Sequence, residues 1–442
     1  MKCNSCGIES PIDQAFRPMT RLFQKPTRFC PSCAEKHDWR ELKVALLFMA
    51  AIAALFVLAA FTLEKSGPKR NELLVFPLCF LIYPLNVVLH EFAHAVTAWL
   101  VGLRVFNIFI GFRGPVLWQS KRFQAEIRLT CAPFDGLVLV APPSLAHYRL
   151  RIGAVYAAGP LMNALLVAAT YWLPRWSLTL SLWGTVVFWS NAALLAVSLF
   201  PWRHRGPQGV FASDGLALLT LPFVKRKSFE ERHAAYFVLE GLASIKNKDF
   251  PAAIEWAERG LREHSGAIGC RNILGMGQLG LDQFDLARAT FTSCVADSET
   301  NLANKAIFLF YLAWTELGRD DRRDLELLDR TSEEASTLTP WAPTIQATRG
   351  AALVELGRFD EGIALLTKAL NGNEGLSKAV IASYLSLAFA KQGAHDRSRV
   401  FLEMARKFDP SCPILARIEK QIASMQSGTC QAGAASTASV PE

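Results

Sequence analysis

Four apolar stretches, at about 42–63, 73–101, 153–173 and 178–201, constrain this chain more than any other feature. About 20 apolar residues suffice to cross a bilayer as a helix, and in lipid only helices and closed barrels satisfy every backbone polar group. The region 41–225 is therefore expected to be a polytopic membrane helix bundle. Hydrophobic residues make up 51% of the chain and charged residues 19%, but unevenly, because the sequence after Lys225 has the character of a water-soluble protein. A chain of 442 residues exceeds one core, so two or three units are expected.

The second stretch contains His90-Glu91-Phe92-Ala93-His94. Ionisable groups at a membrane helix centre cost about 2.5–3.5 kcal/mol each on insertion scales, and their presence there marks function. On a helix, residues i and i+4 share a face, so both imidazoles can reach one metal ion. Glu91, one residue along, is placed to act as general base toward a zinc-activated water. A third ligand has to come from elsewhere, and Asp214, beside Gly215, offers a carboxylate where the backbone can approach closely. The sequence Ala158-Gly159-Pro160-Leu161-Met162-Asn163 is expected to interrupt the third span, with Asn163 helping to satisfy freed backbone groups.

The N-terminus carries Cys3-Asn4-Ser5-Cys6 and Cys30-Pro31-Ser32-Cys33. Two C-x-x-C knuckles at this spacing match a four-cysteine zinc ribbon, expected over residues 1–40 as a structural zinc site. Exposed thiolates imply a reducing, cytosolic face. Loop charges agree: residues 1–43 carry eight Lys or Arg and the loop 102–152 carries seven, whereas the opposite loops hold Lys65, Lys69, Arg70 and Arg175. With four spans, both termini are expected in the cytosol. The net charge of +8 is then membrane topology, and nucleic acid is not among the expected partners.

Three motifs in order, His90 to His94, Ala158 to Asn163, and Asn191 with Leu199-Phe200-Pro201 and Asp214-Gly215, resemble those of the site-2 proteases, membrane-embedded zinc metalloproteases. The resemblance covers about 73–220, and Gly102 to Pro115 looks like the β-rich stretch that follows the zinc helix in that family. It implies a catalytic zinc on His90, His94 and Asp214, with Glu91 activating water, and cleavage of transmembrane segments of other proteins. It leaves Asn163 and Asn191 as candidates for oxyanion stabilisation or substrate orientation, or for capping broken helices. Two features depart from the pattern: Ser198 stands where the family usually has asparagine, and 13 positions separate Pro201 from Asp214. His204, and less strongly Asp135, are rival third ligands. The alternating stretch from Phe123 to Thr130 is expected to form a β-hairpin able to pair with an extended substrate.

Beyond residue 228 a period of 34 residues emerges: Gly241…Phe250…Ala253 returns as Gly275…Phe284…Ala287, and the spacing again as Gly350…Phe359…Gly362. The period and small-residue positions resemble tetratricopeptide repeats. They imply an α-solenoid of helix pairs over 228–426, serving a protein or peptide partner, and a disordered tail over 427–442. The fold class is thus mainly α: ribbon, membrane bundle and solenoid. The alternative function is a proteolytically inactive membrane scaffold of the same fold that binds partners through its repeats.

Overall fold

The computed structural model describes residues 2–12, 17–19, 27–62, 68–112, 115–122, 124–172, 178–206, 209–297, 300–319, 323–372 and 376–435. The chain divides into two units, one of residues 35–240 and one that joins residues 1–34 to 241–442. The N-terminal cysteine segment thus groups with the repeats, where the sequence suggested a separate module.

Four helices of the first unit are long and apolar enough to cross a membrane: α1 (Pro31–Thr62), α2 (Pro68–Leu100), α3 (Tyr148–Trp172) and α4 (Leu178–Leu199). Leu47, Phe48, Leu55 and Phe61 of α1 point outward, which costs free energy in water and none in lipid. The expected interruption at Gly159-Pro160 does not occur, and α3 runs unbroken through it. Proline removes one helical hydrogen bond, and the turns on either side hold the rod together. Helices α2, α3 and α4 all pack on one another.

Helix α2 stops at a Schellman turn. Gly102 takes φ +71°, Leu103 N–H bonds the Ala98 carbonyl at 2.8 Å, and Gly102 N–H bonds that of Trp99 at 3.0 Å. The chain then enters a four-stranded sheet of β1 (Arg104–Ile110), β2 (Val116–Arg122), β3 (Ala125–Thr130) and β4 (Gly136–Ala141), ordered β2-β3-β1-β4. The expected hairpin exists as β2–β3, with Arg122 opposite Ala125. Strand β1 runs parallel to β3 and antiparallel to β4. Val105, Ile108, Ile110 and Ile127 pack with Ala95, Ala98, Ile152 and Val155, so one sheet face seals the ends of α2 and α3.

After α4 comes a second hairpin, β5 (Arg203–Gly206) with β6 (Gly209–Ala212), whose register sets Arg203 opposite Ala212. Ser213 closes its neck: its Oγ donates to the Phe200 carbonyl at 2.7 Å and accepts from Trp202 N–H and Leu216 N–H, both at 3.3 Å. It thereby caps α5 (Asp214–Thr220). Gly215 lies so close to α4 that a Cβ there would fall 1.9 Å from the Leu199 carbonyl oxygen. The 13-residue connection from Pro201 to Asp214 is therefore a hairpin that goes out and returns, leaving Asp214 beside the end of α4.

The second unit stacks helix pairs. Helix α6 (Arg226–Lys246) leads from one unit to the other. It is followed by α7 (Phe250–Glu263), α8 (Ile268–Gly280), α9 (Phe284–Ala296), α10 (Leu302–Gly318) and α11 (Leu325–Leu338). Then come α12 (Pro343–Glu355), α13 (Phe359–Leu370), α14 (Leu376–Lys391), α15 (His395–Phe408) and α16 (Pro413–Ala435). Phe250, Phe284 and Phe359, the repeated aromatic position, each open a helix. The small positions are filled by the partner helix: a Cβ on Gly275 would meet the Phe291 ring at 2.6 Å, and one on Gly350 would meet Leu366 at 2.8 Å. Between the copies that begin at Gly275 and Gly350, α10 and α11 form a further helix pair. Helix α16 continues to Ala435, so residues 427–435 of the expected disordered tail are helical, and 436–442 lie outside the described residues.

Candidate metal centre

His90, Glu91 and His94 are buried on α2, facing α3. The structure dictates the tautomer of both rings. His94 Nδ1 lies 2.6 Å from the Val155 carbonyl oxygen, which can only accept, so Nδ1 carries the proton. For His90 the reasoning runs through two amides. Asn191 Nδ2 donates to the Val187 carbonyl at 2.8 Å, which leaves its Oδ1 to accept from Asn163 Nδ2 at 2.9 Å. Asn163 Oδ1 then faces His90 Nδ1 at 2.6 Å and fixes its proton there.

Both Nε2 lone pairs consequently point away from these partners, toward Asp214. His90 Nε2 is 3.1 Å from His94 Nε2 and 3.1 Å from Asp214 Oδ2, and His94 Nε2 is 3.5 Å from that oxygen. Two imidazole nitrogens and a carboxylate oxygen crowding one point are held together by a proton or by a metal cation among them. Two neutral histidines and one carboxylate are a zinc donor set, each ring oriented by a second hydrogen bond from its far nitrogen. The residues fit the metal.

Gly159 leaves room for the two rings, since a Cβ there would stand 2.4 Å from His94 Nε2 and 2.5 Å from His90 Nε2. Gly136, the first residue of β4, plays the same part for Glu91: a Cβ would fall 2.4 Å from Glu91 Cγ and 2.6 Å from Oε1. Asp135 accepts the Phe112 N–H at 3.0 Å and is not among the three residues that converge. The side chain of His204 lies outside the described residues, although its backbone pairs with Phe211 in the β5–β6 hairpin. Asn163 and Asn191, both fully buried, hydrogen-bond one another and so link α2 to α3 and α4.

A family model described as peptidase family M50 matches residues 78–420, which is most of the chain. The chain belongs to peptidase family M50. This is the family of the site-2 proteases, whose members are zinc-dependent and membrane-embedded. No curated protein matches the chain in a sequence comparison. Among solved structures, it is similar to a thermophilic TPR protein from Thermus thermophilus at 20% identity, over 43% of this chain and 97% of that one, with a TM-score of 0.34. It is also similar to YrrB, a TPR protein with an unusual peptide-binding site, at 16% identity over 44% and 96%, with a TM-score of 0.31. The helix-pair architecture of this M50 chain stands on its own repeats, which the described helices realise directly.

The M50 chain has a second ligand cluster. The sulfurs of Cys3, Cys6, Cys30 and Cys33 lie within 4.8 Å of one another. Zinc–sulfur bonds of about 2.3 Å in a tetrahedron put the sulfurs about 3.8 Å apart; Cys6 Sγ and Cys30 Sγ are 3.7 Å apart, far beyond a disulfide bond. Cys30 N–H points at Cys3 Sγ at 3.3 Å, and Cys33 sits in the first turn of α1. Burial, with the neighbouring thiols of Cys33, Cys6 and Cys3, pushes the Cys30 thiol up to about 12 in the absence of metal. Four sulfurs at this spacing match the tetrahedral donor set of a zinc ion, which displaces the thiol protons when it binds, so these residues also fit zinc.

Several parts of the M50 site escape a reading of the sequence. Gly159 and Asn163 lie in a recognisable motif, but that one keeps space and the other fixes a tautomer is visible only in three dimensions. The carbonyls of Val155 and Val187, Gly136 and the cap residue Ser213 carry no sequence signal of their own.

Proposed function

We propose that this M50 chain is an intramembrane zinc metalloprotease that cleaves transmembrane segments of substrate proteins, with His90, His94 and Asp214 as zinc ligands and Glu91 as general base. The observation that carries this reading is the convergence of His90 Nε2, His94 Nε2 and Asp214 Oδ2, with both Nδ1 protons committed elsewhere. Zinc, when bound, acidifies water and polarises a carbonyl oxygen. Glu91, held over Gly136, takes the proton of the attacking water and returns it to the leaving amine. Asn163 and Asn191 act as positioning residues, because their amides hold His90 and each other. A substrate helix has no free carbonyls and must unwind first. Strand β4 lies at the sheet edge and starts beside Glu91, so the unwound segment pairs along β4, away from the β2–β3 hairpin at the opposite edge.

The four cysteines hold a second, structural zinc, and the termini face the cytosol, where ribbon and repeats recruit or gate substrate. The test is zinc stoichiometry in detergent. Wild type should bind two zinc ions per chain; His90→Ala and Cys6→Ser should each lose one. One zinc per chain, lost with the cysteines alone, sinks the enzyme and leaves a membrane scaffold.

The amide relay gives a second expectation. Asn191→Leu removes the acceptor that orients Asn163 and frees the His90 ring, so affinity at this site should fall about 10–100-fold by chelator competition. Unchanged affinity would mean that the relay does not position His90.

A further inference from the structure

Residues 2–12 make few contacts among themselves beyond a single turn. Residues 2–12 have one β-bridge, Lys2 with Glu9, and a knuckle turn in which Cys3 N–H bonds the Ile8 carbonyl at 2.8 Å and Gly7 N–H that of Cys3 at 3.0 Å. Their buried side chains are Cys3, Ser10 and Ile12, and each is buried against something distant in sequence. Ile12 joins the apolar cluster of Ala306, Leu309, Ala335, Leu338 and Ile345, contributed by α10, α11 and α12. Ser10 Oγ donates to the Leu338 carbonyl at 2.7 Å, and accepts from Ile12 N–H at 3.1 Å. Trp341, in the turn between α11 and α12, packs against Cys3 and Cys30. The repeat array thus touches the cysteine cluster directly, and the docked segment completes an apolar cluster of the repeats. The same cluster includes Cys33, the start of α1, the helix that carries the first span.

We propose that the four-cysteine cluster is a metal-dependent clasp: with zinc bound it docks residues 3–12, and with them the start of α1, on the face formed by α10, α11 and Trp341, and without zinc it lets that face go. A chain with so few apolar side chains cannot hold the docked shape alone. Closing the loop from Cys3 and Cys6 to Cys30 and Cys33 through a metal removes most of the entropy the docked segment would otherwise lose. The partner for this surface of the repeats is therefore the chain's own N-terminus. The proposal is independent of whether the His90 site cleaves anything.

The test is hydrogen exchange by mass spectrometry on the full-length protein in detergent. In Cys6→Ser, zinc should fall by one per chain and exchange should accelerate by about 10-fold or more in peptides over 302–318 and 335–347, with 359–408 unchanged. Ile12→Ala should keep the zinc and still accelerate exchange in those two segments. His90→Ala should leave them as in wild type. Loss of the zinc with no change in exchange would overturn the clasp. So would zinc content unaffected by Cys6→Ser, or acceleration that spreads through 359–408, which would make the metal a support of the whole array.

Discussion

A Glu91→Gln variant should keep its full zinc content and lose cleavage of a transmembrane reporter by about 10²–10⁴-fold, the usual contribution of a positioned acid–base group. Glutamine preserves the volume and the packing over Gly136, where the side chain already has no room to spare. It cannot accept the proton. Because Glu91 is absent from the set His90, His94 and Asp214, the substitution leaves the metal donors untouched. The check is paired: zinc per chain, and initial rates in liposomes of known composition. A Glu91→Gln protein that cuts within about 10-fold of wild type refutes the base assignment.

Gly159→Ala should be the most damaging single methyl group in the chain for metal binding. The new Cβ would lie 2.4–2.6 Å from atoms of both histidine rings, closer than carbon and nitrogen tolerate. Neither ring can retreat freely, because Val155 and Asn163, four residues to either side of Gly159 on α3, hold their Nδ1 atoms. Alanine in a helix is otherwise better than glycine by about 1 kcal/mol. The expected signature is therefore a split: zinc affinity at this site drops by about 100-fold or more, on the order of 3 kcal/mol, whereas the melting temperature of the metal-free protein falls by less, because the helix gain of alanine offsets part of the clash. Wild-type affinity in Gly159→Ala would show that α3 moves away and that its stripe of Val155, Gly159 and Asn163 does not set the rings.

The membrane helices and the histidine pair of α2 were legible because they depend on local chemistry. Apolar runs of spanning length leave the backbone few options, and the i, i+4 spacing places His90 and His94 on one face whatever surrounds them. The repeats were legible for a similar reason. Each pair is a local unit, and Phe250, Phe284 and Phe359 fall at helix starts in every clear copy. The break expected at Pro160 failed because a proline signals a lost hydrogen bond, not what the neighbouring turns do about it. The separation of Pro201 from Asp214 misled in the same way: 13 residues look like a long reach until they fold into the β5–β6 hairpin pinned by Ser213.

The spans, the helix-pair period, the histidine pair with its glutamate and the two cysteine knuckles are written in the chain itself. All of these are fixed by spacing along the chain. That Asp214 returns to the histidines, that Asn191 and Asn163 set the His90 tautomer, and that Ile12 is buried among α10, α11 and α12 emerge in three dimensions. Those outcomes depend on which atoms meet across 28 to more than 300 residues of chain. Spacing along a sequence carries no record of such meetings, because the hydrogen bonds and close packing that settle them exist only once the helices have come together.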